Sequence, residues 1–206
     1  MIINKKSNIS ADEALQRLID GNQRFLRGEP PLSGVPHETL SKLARGQNPF
    51  ATILGCSDSR VSPETIFHVG LGELFVVRVA GNVISPEVAG SLQYAGAHLQ
   101  TPLFVVLGHE GCGAIQAALA TKNQGVQQRS RIQLLIDNIL PALDGLDKDL
   151  PPSKQLAQAV EMNVRWTVSI ILESPEGQAR LAEGQMKCLG AIYEIETGRV
   201  RFLDGY

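Results

Sequence analysis

Two short motifs in this sequence carry side chains that could bind a metal ion and do chemistry on it. The first is CSDSR, which places Cys56, Asp58 and Arg60 at alternate positions, and the second is HEGC, which places His109 three residues before Cys112. Thiolate and imidazole groups are the ligands that zinc favours in proteins. A His-x-x-Cys pair on a single turn can bind one ion from one side.

Each motif directly follows a short apolar run that is typical of a strand buried on both faces. FATILG (residues 50–55) precedes Cys56, and PLFVVLG (residues 102–108) precedes His109. Open α/β sheets bind ligands outside the carboxyl ends of their strands, so side chains distant in sequence meet there when their strands are neighbours. We therefore predict a zinc site made by Cys56, His109 and Cys112.

Three protein ligands leave one position of a tetrahedral zinc open, and Asp58 is the nearest residue that could occupy or control it. If Asp58 binds the metal, the site is closed, and the protein is a non-catalytic, zinc-stabilised binding module. If Asp58 pairs with Arg60 instead, water takes the fourth position and becomes a nucleophile. The third cysteine, Cys188, lies inside a predicted strand and is expected to be a buried apolar residue rather than a ligand.

The elements around these motifs predict an α/β fold. A third apolar run, residues 73–79, and helical segments at residues 63–67 and 85–99 separate the two strands, which is typical of βαβ units and a parallel sheet. We expect α/β/α layers around a mainly parallel central sheet, with an antiparallel hairpin at one edge. The segments for this hairpin are residues 186–195 and 199–203, and long helices at residues 129–143 and 153–172 are expected to cover one face.

The N-terminal region predicts one further helix. Ser10 and Glu13 form a capping-box pattern before the apolar positions Leu15, Leu18 and Ile19. The loop of residues 27–36 carries several prolines and glycines, so we expect the helix to lead away and pack elsewhere. With no linker in the sequence, residues 1–206 are predicted to be a single domain, with a helical arm at 1–46 and a zinc-binding α/β core at 47–206.

Charge and cysteine content narrow the classes of partner and location. The 19 basic and 21 acidic residues give a formal charge of −2, so we expect neither nucleic acid nor a membrane as a partner. Three widely spaced cysteines do not form a disulfide framework, which favours a reducing compartment. No export signal is visible, so we expect a cytoplasmic protein; for a chain whose leader has been removed, the alternative is the periplasm.

The motifs together resemble the β-class carbonic anhydrases. The resemblance rests on CSDSR, GELFVVRVAGN and HEGCG, and it extends from EALQRLIDGNQRF to GAIYEIETGRVRFL. It implies one zinc ion per chain on Cys56, His109 and Cys112, an Asp58–Arg60 dyad beside it, and reversible hydration of CO2 to bicarbonate and a proton. Hydrolysis of CS2 or COS on the same scaffold is an alternative that similar enzymes perform.

The same resemblance implies residues of a substrate pocket. Gln47 matches an amide that hydrogen-bonds substrate, Phe75 and Tyr94 match the apolar and aromatic wall, and Gly113 follows the last ligand. The presence of Gln47, Phe75 and Tyr94 is similar to the subgroup whose zinc keeps an open fourth position. The family pocket straddles a dimer interface, so the resemblance implies a homodimer or a higher even oligomer whose second copy supplies part of the wall.

Overall fold

The centre of the molecule is a mainly parallel β-sheet. In the computed structural model, which describes residues 9–30 and 36–205, the strands are β1 (Ala51–Gly55), β2 (Leu74–Arg78), β3 (Leu103–His109), β4 (Lys187–Tyr193) and β5 (Val200–Phe202). Their order is β2-β1-β3-β4-β5, and each neighbouring pair is parallel except β4 with β5. The predicted parallel sheet with an antiparallel edge hairpin is therefore confirmed.

The helices alternate with the strands along the chain. The α-helices of the described ranges are α1 (Ala11–Leu26), α2 (His37–Leu43), α3 (Pro63–Ile66), α4 (Pro86–Tyr94), α5 (Gly113–Gln124), α6 (Ser130–Ile139), α7 (Pro152–Glu173) and α8 (Pro175–Ala182). Short 3₁₀ turns lie at Ala80–Asn82 and Leu140–Leu143. None of the helices in this part of the chain is both long and apolar enough to cross a bilayer.

Helices pack on both faces of the sheet, as the α/β/α prediction requires. On one face, α1 and α3 contact Ile53 of β1 and Val105 of β3. On the other face, α4, α5, α6 and α7 share one buried apolar cluster with the next residue of each strand, Leu54 and Val106. Adjacent residues belong to different cores because side chains alternate across a strand. All residues of β1 and β3 are buried, which explains their unbroken apolar sequences.

The first helix has the predicted cap but not the predicted position. The Ser10 side chain accepts a hydrogen bond from Glu13 N–H, and the Glu13 carboxylate accepts one from Ser10 N–H. However, α1 packs on the sheet of its own chain, where Ala14 and Leu18 are fully buried. The expectation that this helix packs elsewhere is wrong for α1, because its apolar stripe finds its partner in the core of its own chain.

One buried side chain fixes α1 to two other elements. Asn22 donates to the carbonyls of Ile66 (3.2 Å) and Gly198 (3.0 Å), and its own oxygen accepts from Val200 N–H (3.0 Å). Gly21 allows this close approach, since a Cβ at that position would lie 1.9 Å from the Phe67 carbonyl oxygen. Packing and hydrogen bonding therefore both attach the N-terminal helix to α3 and to the β4–β5 hairpin.

The remaining differences from the sequence predictions concern helix ends and short helices. The segment predicted as one helix at residues 85–99 ends as α4 at Tyr94 and continues as a π-type turn, Ala95–Leu99, before left-handed Gln100 (φ 54°). The short helices α2 and α8 were not predicted. In α2 no residue is buried, so it has no apolar periodicity to detect, whereas α8 follows a Ser174-Pro175 start signal that also ends α7.

Candidate metal centre

The two motifs meet at the carboxyl edge of the sheet. Cys56 follows β1, His109 ends β3, and the two strands are parallel neighbours with Gly55 opposite Leu107. The sulfur atoms of Cys56 and Cys112 and a ring nitrogen of His109 all lie within 4.8 Å of one another, and the three side chains are buried. The predicted convergence of these residues is thus present in the structure.

The donor set fits a tetrahedral zinc ion. The Cys56 and Cys112 sulfurs are 4.0 Å apart, and two thiolates on one tetrahedral zinc, with Zn–S bonds of ~2.3 Å, are separated by ~3.8 Å. Nδ1 of His109 lies 2.9 Å from the Glu110 carbonyl oxygen and donates to it, which assigns the proton to Nδ1. Nε2 is then a free acceptor, and it is buried with no hydrogen-bond partner in the described part of the chain. Such an orphaned nitrogen beside two sulfurs is what a metal ligand requires.

The environment of Cys56 favours a thiolate before any metal binds. Its pKa is lowered, chiefly by the neighbouring Cys112 thiol, with further contributions from His109 and from the backbone N–H groups of Gly81 and Asp58. The same proximity, together with burial, raises the pKa of Cys112. The pair therefore holds one negative charge readily, and a cation is needed to hold the second.

A tight turn supplies one of the backbone donors to Cys56. The N–H of Gly81 points at the Cys56 sulfur at 3.4 Å. Gly81 lies in the 3₁₀ turn with φ 71°, and a Cβ there would come within 3.0 Å of Ile139 Cδ1 and 3.2 Å of Ala114 Cβ. Glycine is required at this position both by its positive φ and by the lack of space.

The predicted dyad is formed beside the three ligands. Arg60 donates from Nε to Oδ1 of Asp58 (2.9 Å), from a terminal nitrogen to Oδ2 (2.7 Å), and from its own backbone N–H to Oδ1 (3.0 Å). These bonds hold the pKa of Asp58 well below its usual range. Asp58 Oδ2 is 3.9 Å from His109 Nε2, so the carboxylate lies next to the centre while it is bound to arginine.

Arg78 is part of this site and was not predicted from the sequence. Its Nε donates to the Cys56 carbonyl (2.9 Å) and a terminal nitrogen donates to the Asp58 carbonyl (2.6 Å). One guanidinium at the end of β2 therefore fixes the backbone on both sides of Ser57. A charged residue closing the apolar run LFVVR was the only available signal, and the carbonyls that it binds belong to the loop that follows β1.

The residues predicted to line a substrate pocket fall into two groups. Phe75 and Tyr94 contact each other, with ring centroids 6.1 Å apart. Phe75 lies opposite Thr52 in the sheet, and Thr52 precedes Cys56 by four residues, so Phe75 is ~13 Å along the sheet from the metal ligands of its own chain. Gln47 and Gly113 are exposed, Gln47 in the loop before β1 and Gly113 at the start of α5.

Residues that were not expected to bind metal lie outside the centre. Cys188 is buried in the core between the sheet and α7, and burial raises its pKa to about 12. His68 is buried, but it accepts from Arg24 Nε and contacts the Pro30 carbonyl. These contacts occupy both ring nitrogens of His68, which agrees with its exclusion as a ligand.

The fold and the site define a class of protein: an α/β protein with a Cys₂His metal centre at the carboxyl edge of a parallel sheet. The family model described as carbonic anhydrase matches residues 51–200. The chain belongs to the β-class carbonic anhydrases, as the sequence resemblance predicted. Both motifs and all three candidate ligands lie within the matched range.

Carbonic anhydrases from other organisms are similar to this protein over nearly its whole length. The chain is 38% identical over 205 residues to carbonic anhydrase 2 of Mycobacterium tuberculosis, covering 96% of this chain and 95% of that protein. It is 37% identical to the carbonic anhydrase of Mycolicibacterium smegmatis, covering 91% and 90%. Among solved structures, the Coccomyxa β-carbonic anhydrase in complex with acetazolamide is 30% identical with a TM-score of 0.74, covering 92% of this chain and 86% of that one.

Proposed function

We propose that this protein is a zinc-dependent carbonic anhydrase that converts CO2 and water reversibly to bicarbonate and a proton. The observation that carries this proposal is the convergence of Cys56, His109 and Cys112, with their donor atoms within 4.8 Å and buried. Zinc bound there would supply the Lewis acidity that makes water a nucleophile near neutral pH. The family match and the named relatives support the same reaction.

The Asp58–Arg60 dyad is proposed to orient the reacting water. Because Arg60 occupies both carboxylate oxygens of Asp58, the carboxylate is held beside the centre rather than released to bind metal. Its low pKa keeps it ionised, so it can accept a hydrogen bond from water but does not take the proton permanently. This arrangement favours the open site over the closed, non-catalytic one.

The pocket wall is proposed to come from a second copy of the chain. The strand β2 is an edge strand, and its apolar residues Leu74–Val77 are only half-buried within one chain. Native proteins normally cover an exposed edge strand of this kind or pair it with another strand. If two copies pair their β2 strands antiparallel near Val76, the partner's Phe75 lies beside Val77, which is level with Leu54, ~7 Å along the strand from Cys56. The partner's Phe75 would then be nearer to the ligands than the chain's own.

We propose a homodimer, or a higher even oligomer built from it, on the basis of this pairing. In each site the partner's Phe75 and Tyr94 would form an apolar wall for CO2, and Gln47 would donate to the oxygen that gains charge. Gly113 at the start of α5 leaves open space, since nothing lies within 4 Å of a Cβ built there. The substrate is small and uncharged, so no basic patch is needed to attract it.

The direct test is stopped-flow CO2 hydration on protein with measured metal content. We expect about one zinc per chain, turnover that falls when zinc is removed, and inhibition by acetazolamide, the compound present in the Coccomyxa structure. Stoichiometric zinc without CO2 turnover at any accessible pH would contradict the proposal. Sulfide release from CS2 or COS, measured on the same sample, distinguishes the hydrolase alternative, which the comparisons do not favour.

The shared pocket has a separate test by complementation. A Cys112→Ala chain lacks a ligand and a Phe75→Ala chain lacks the wall, so each homodimer is expected to be nearly inactive. In a mixed dimer, one of the two sites combines an intact metal centre with an intact wall. Refolding the two chains together should restore about a quarter of the wild-type sites by random pairing. No gain on mixing would refute the shared site and leave the metal centre unaffected.

We also infer a cytoplasmic location and a single functional unit. The three cysteines, Cys56, Cys112 and Cys188, are free and buried, which suits a reducing compartment. One sheet contains strands from residue 51 to residue 202, so the core is proposed to fold as one domain together with α1. Fractionation of cells with the periplasmic fraction assayed separately tests the location.

A further inference from the structure

The long helix α7 carries two polar side chains in a stripe that is otherwise apolar. The buried positions of α7 are Ala159, Val160, Asn163, Val164, Thr167, Val168 and Ile171. Asn163 and Thr167 are each 1% exposed. Burying an amide and a hydroxyl is unfavourable unless they are hydrogen-bonded, so these two residues need a reason other than packing.

Both side chains bind the turn that faces Cys56. Asn163 Nδ2 donates to the Gly81 carbonyl at 2.9 Å, and Thr167 Oγ1 donates to the Asn82 carbonyl at 3.4 Å. Gly81 N–H, on the other side of the same Cα, donates to the Cys56 sulfur at 3.4 Å. The chain of contacts therefore runs from α7 through Gly81 to a metal ligand.

The orientation of the Asn163 amide is fixed by the bond to Gly81. Its Oδ1 is buried and has no hydrogen-bond partner among the described residues, so the donated bond is the polar contact that holds the side chain. A flipped amide would place two oxygens against each other. The unpaired Oδ1 lowers the stability of the fold, while Nδ2 of the same amide binds the Gly81 carbonyl.

We propose that Asn163 is a positioning residue for the metal centre: by anchoring Gly81, it aims the Gly81 N–H at the Cys56 thiolate and so tunes the charge that this sulfur donates to the metal. Two of the three residues of the turn have a positive φ, 71° at Gly81 and 45° at Asn82. A turn of this kind relaxes unless its surroundings hold it. Hydrogen bonds to ligating atoms set the basicity of the ligand and the acidity of the metal.

This inference rests on the proposed role of Cys56 as a ligand, and it predicts an effect on the metal itself. In Asn163→Leu, which keeps the number and branching of the side-chain heavy atoms, the Gly81 carbonyl loses its donor and the N–H moves away from sulfur. A thiolate that loses a hydrogen bond becomes a stronger electron donor to the metal. In the cobalt-substituted protein, the sulfur-to-cobalt charge-transfer band is then expected to shift to lower energy. Zinc affinity, measured by chelator competition, is expected to change by about 10-fold or more.

Thr167→Val is the matched control. It removes a buried hydrogen bond from the same helix to the next carbonyl of the same turn, but that carbonyl does not flank the N–H that contacts sulfur. We expect Thr167→Val to lower the unfolding midpoint to a degree similar to Asn163→Leu and to leave the cobalt band in place. An unchanged band and zinc affinity within twofold in Asn163→Leu, or an equal band shift in both variants, would overturn the proposal.

A second measurement needs no variant and covers the case in which Asn163→Leu does not fold. In ¹¹³Cd-substituted wild-type protein, an N–H···S hydrogen bond transmits a scalar coupling between the metal and the amide proton. We expect this coupling at Gly81, and its absence there would refute the hydrogen bond on which the proposal depends. A wild-type cobalt spectrum without any thiolate charge-transfer band would instead refute the ligand assignment of the proposed function, so the two failures are distinguishable.

Discussion

Replacement of Arg78 tests how the backbone of the first motif is held in place. Arg78 binds the carbonyls of Cys56 and Asp58 at 2.9 and 2.6 Å, and we expect Arg78→Met to release both while keeping most of the apolar stem. A hydrogen bond to a charged group contributes about 1.5–3 kcal/mol when buried. Since Arg78 is exposed, we expect a total of about 1–2 kcal/mol for the pair, after allowing for solvent.

That free energy is the difference between a loop fixed in the metal-binding form and a loop free to leave it. It corresponds to a roughly 5- to 30-fold fall in the equilibrium constant between the competent and the released loop. Zinc affinity by chelator competition and kcat/KM for CO2 by stopped flow should fall together by this factor. Arg78→Lys should lie between, because one ammonium replaces a planar fork that binds two carbonyls.

The control is Arg131→Met, which removes an exposed arginine from α6. It changes the net charge equally and is expected to leave zinc affinity and turnover within twofold of wild type. If Arg78→Met also stays within twofold for both quantities, the two hydrogen bonds do not hold the loop, and the reasoning is wrong. Loss of turnover with full zinc affinity would assign Arg78 a role in the reaction rather than in loop geometry.

Three further predictions concern single side chains. Asp58→Asn should keep zinc but slow CO2 hydration at least 10-fold, since an amide neither pairs with Arg60 through two oxygens nor accepts from water as a carboxylate does; equal turnover would contradict the dyad. Cys188→Ala should keep zinc and activity and lower the free energy of unfolding by about 1 kcal/mol, because it deletes one buried sulfur; zinc loss would show that Cys188 is a ligand. Asn22→Ala should cost about 3–5 kcal/mol in urea unfolding, because it leaves up to three buried polar groups unpaired; a cost below 1 kcal/mol would show that these bonds do not dock α1.

The sequence predicted best those parts of the fold that are determined by short stretches of the chain. The apolar runs of β1 and β3 are uninterrupted because both faces are buried, and the ligands follow directly after them. Strand alternation with helices was enough to infer a parallel sheet, and a parallel sheet brings strand ends together. The convergence of Cys56 with His109 and Cys112 followed from these two facts.

What the sequence could not reveal depends on contacts between distant segments. Asn163 and Gly81 are 82 residues apart, and no periodicity connects a polar residue on a helix to the carbonyl of a remote turn. Arg78 binds the backbone carbonyls of Cys56 and Asp58. Because every residue has a carbonyl, the sequence does not indicate which ones Arg78 binds. The docking of α1 was missed for the same reason, since the close approach of Gly21 to Phe67 involves main-chain atoms.

The separation of the metal ligands between two parallel strands also determines when the metal can bind during folding. Cys56 and the pair His109 and Cys112 are joined through the whole segment that contains β2, α3 and α4. The ligands meet only after β1 has paired with β3, a non-local contact that forms late compared with helices and hairpins. Zinc is therefore expected to bind only after the sheet has formed. It should leave the refolding rate unchanged and slow the unfolding rate. Zinc fingers differ, because they do not fold without the metal.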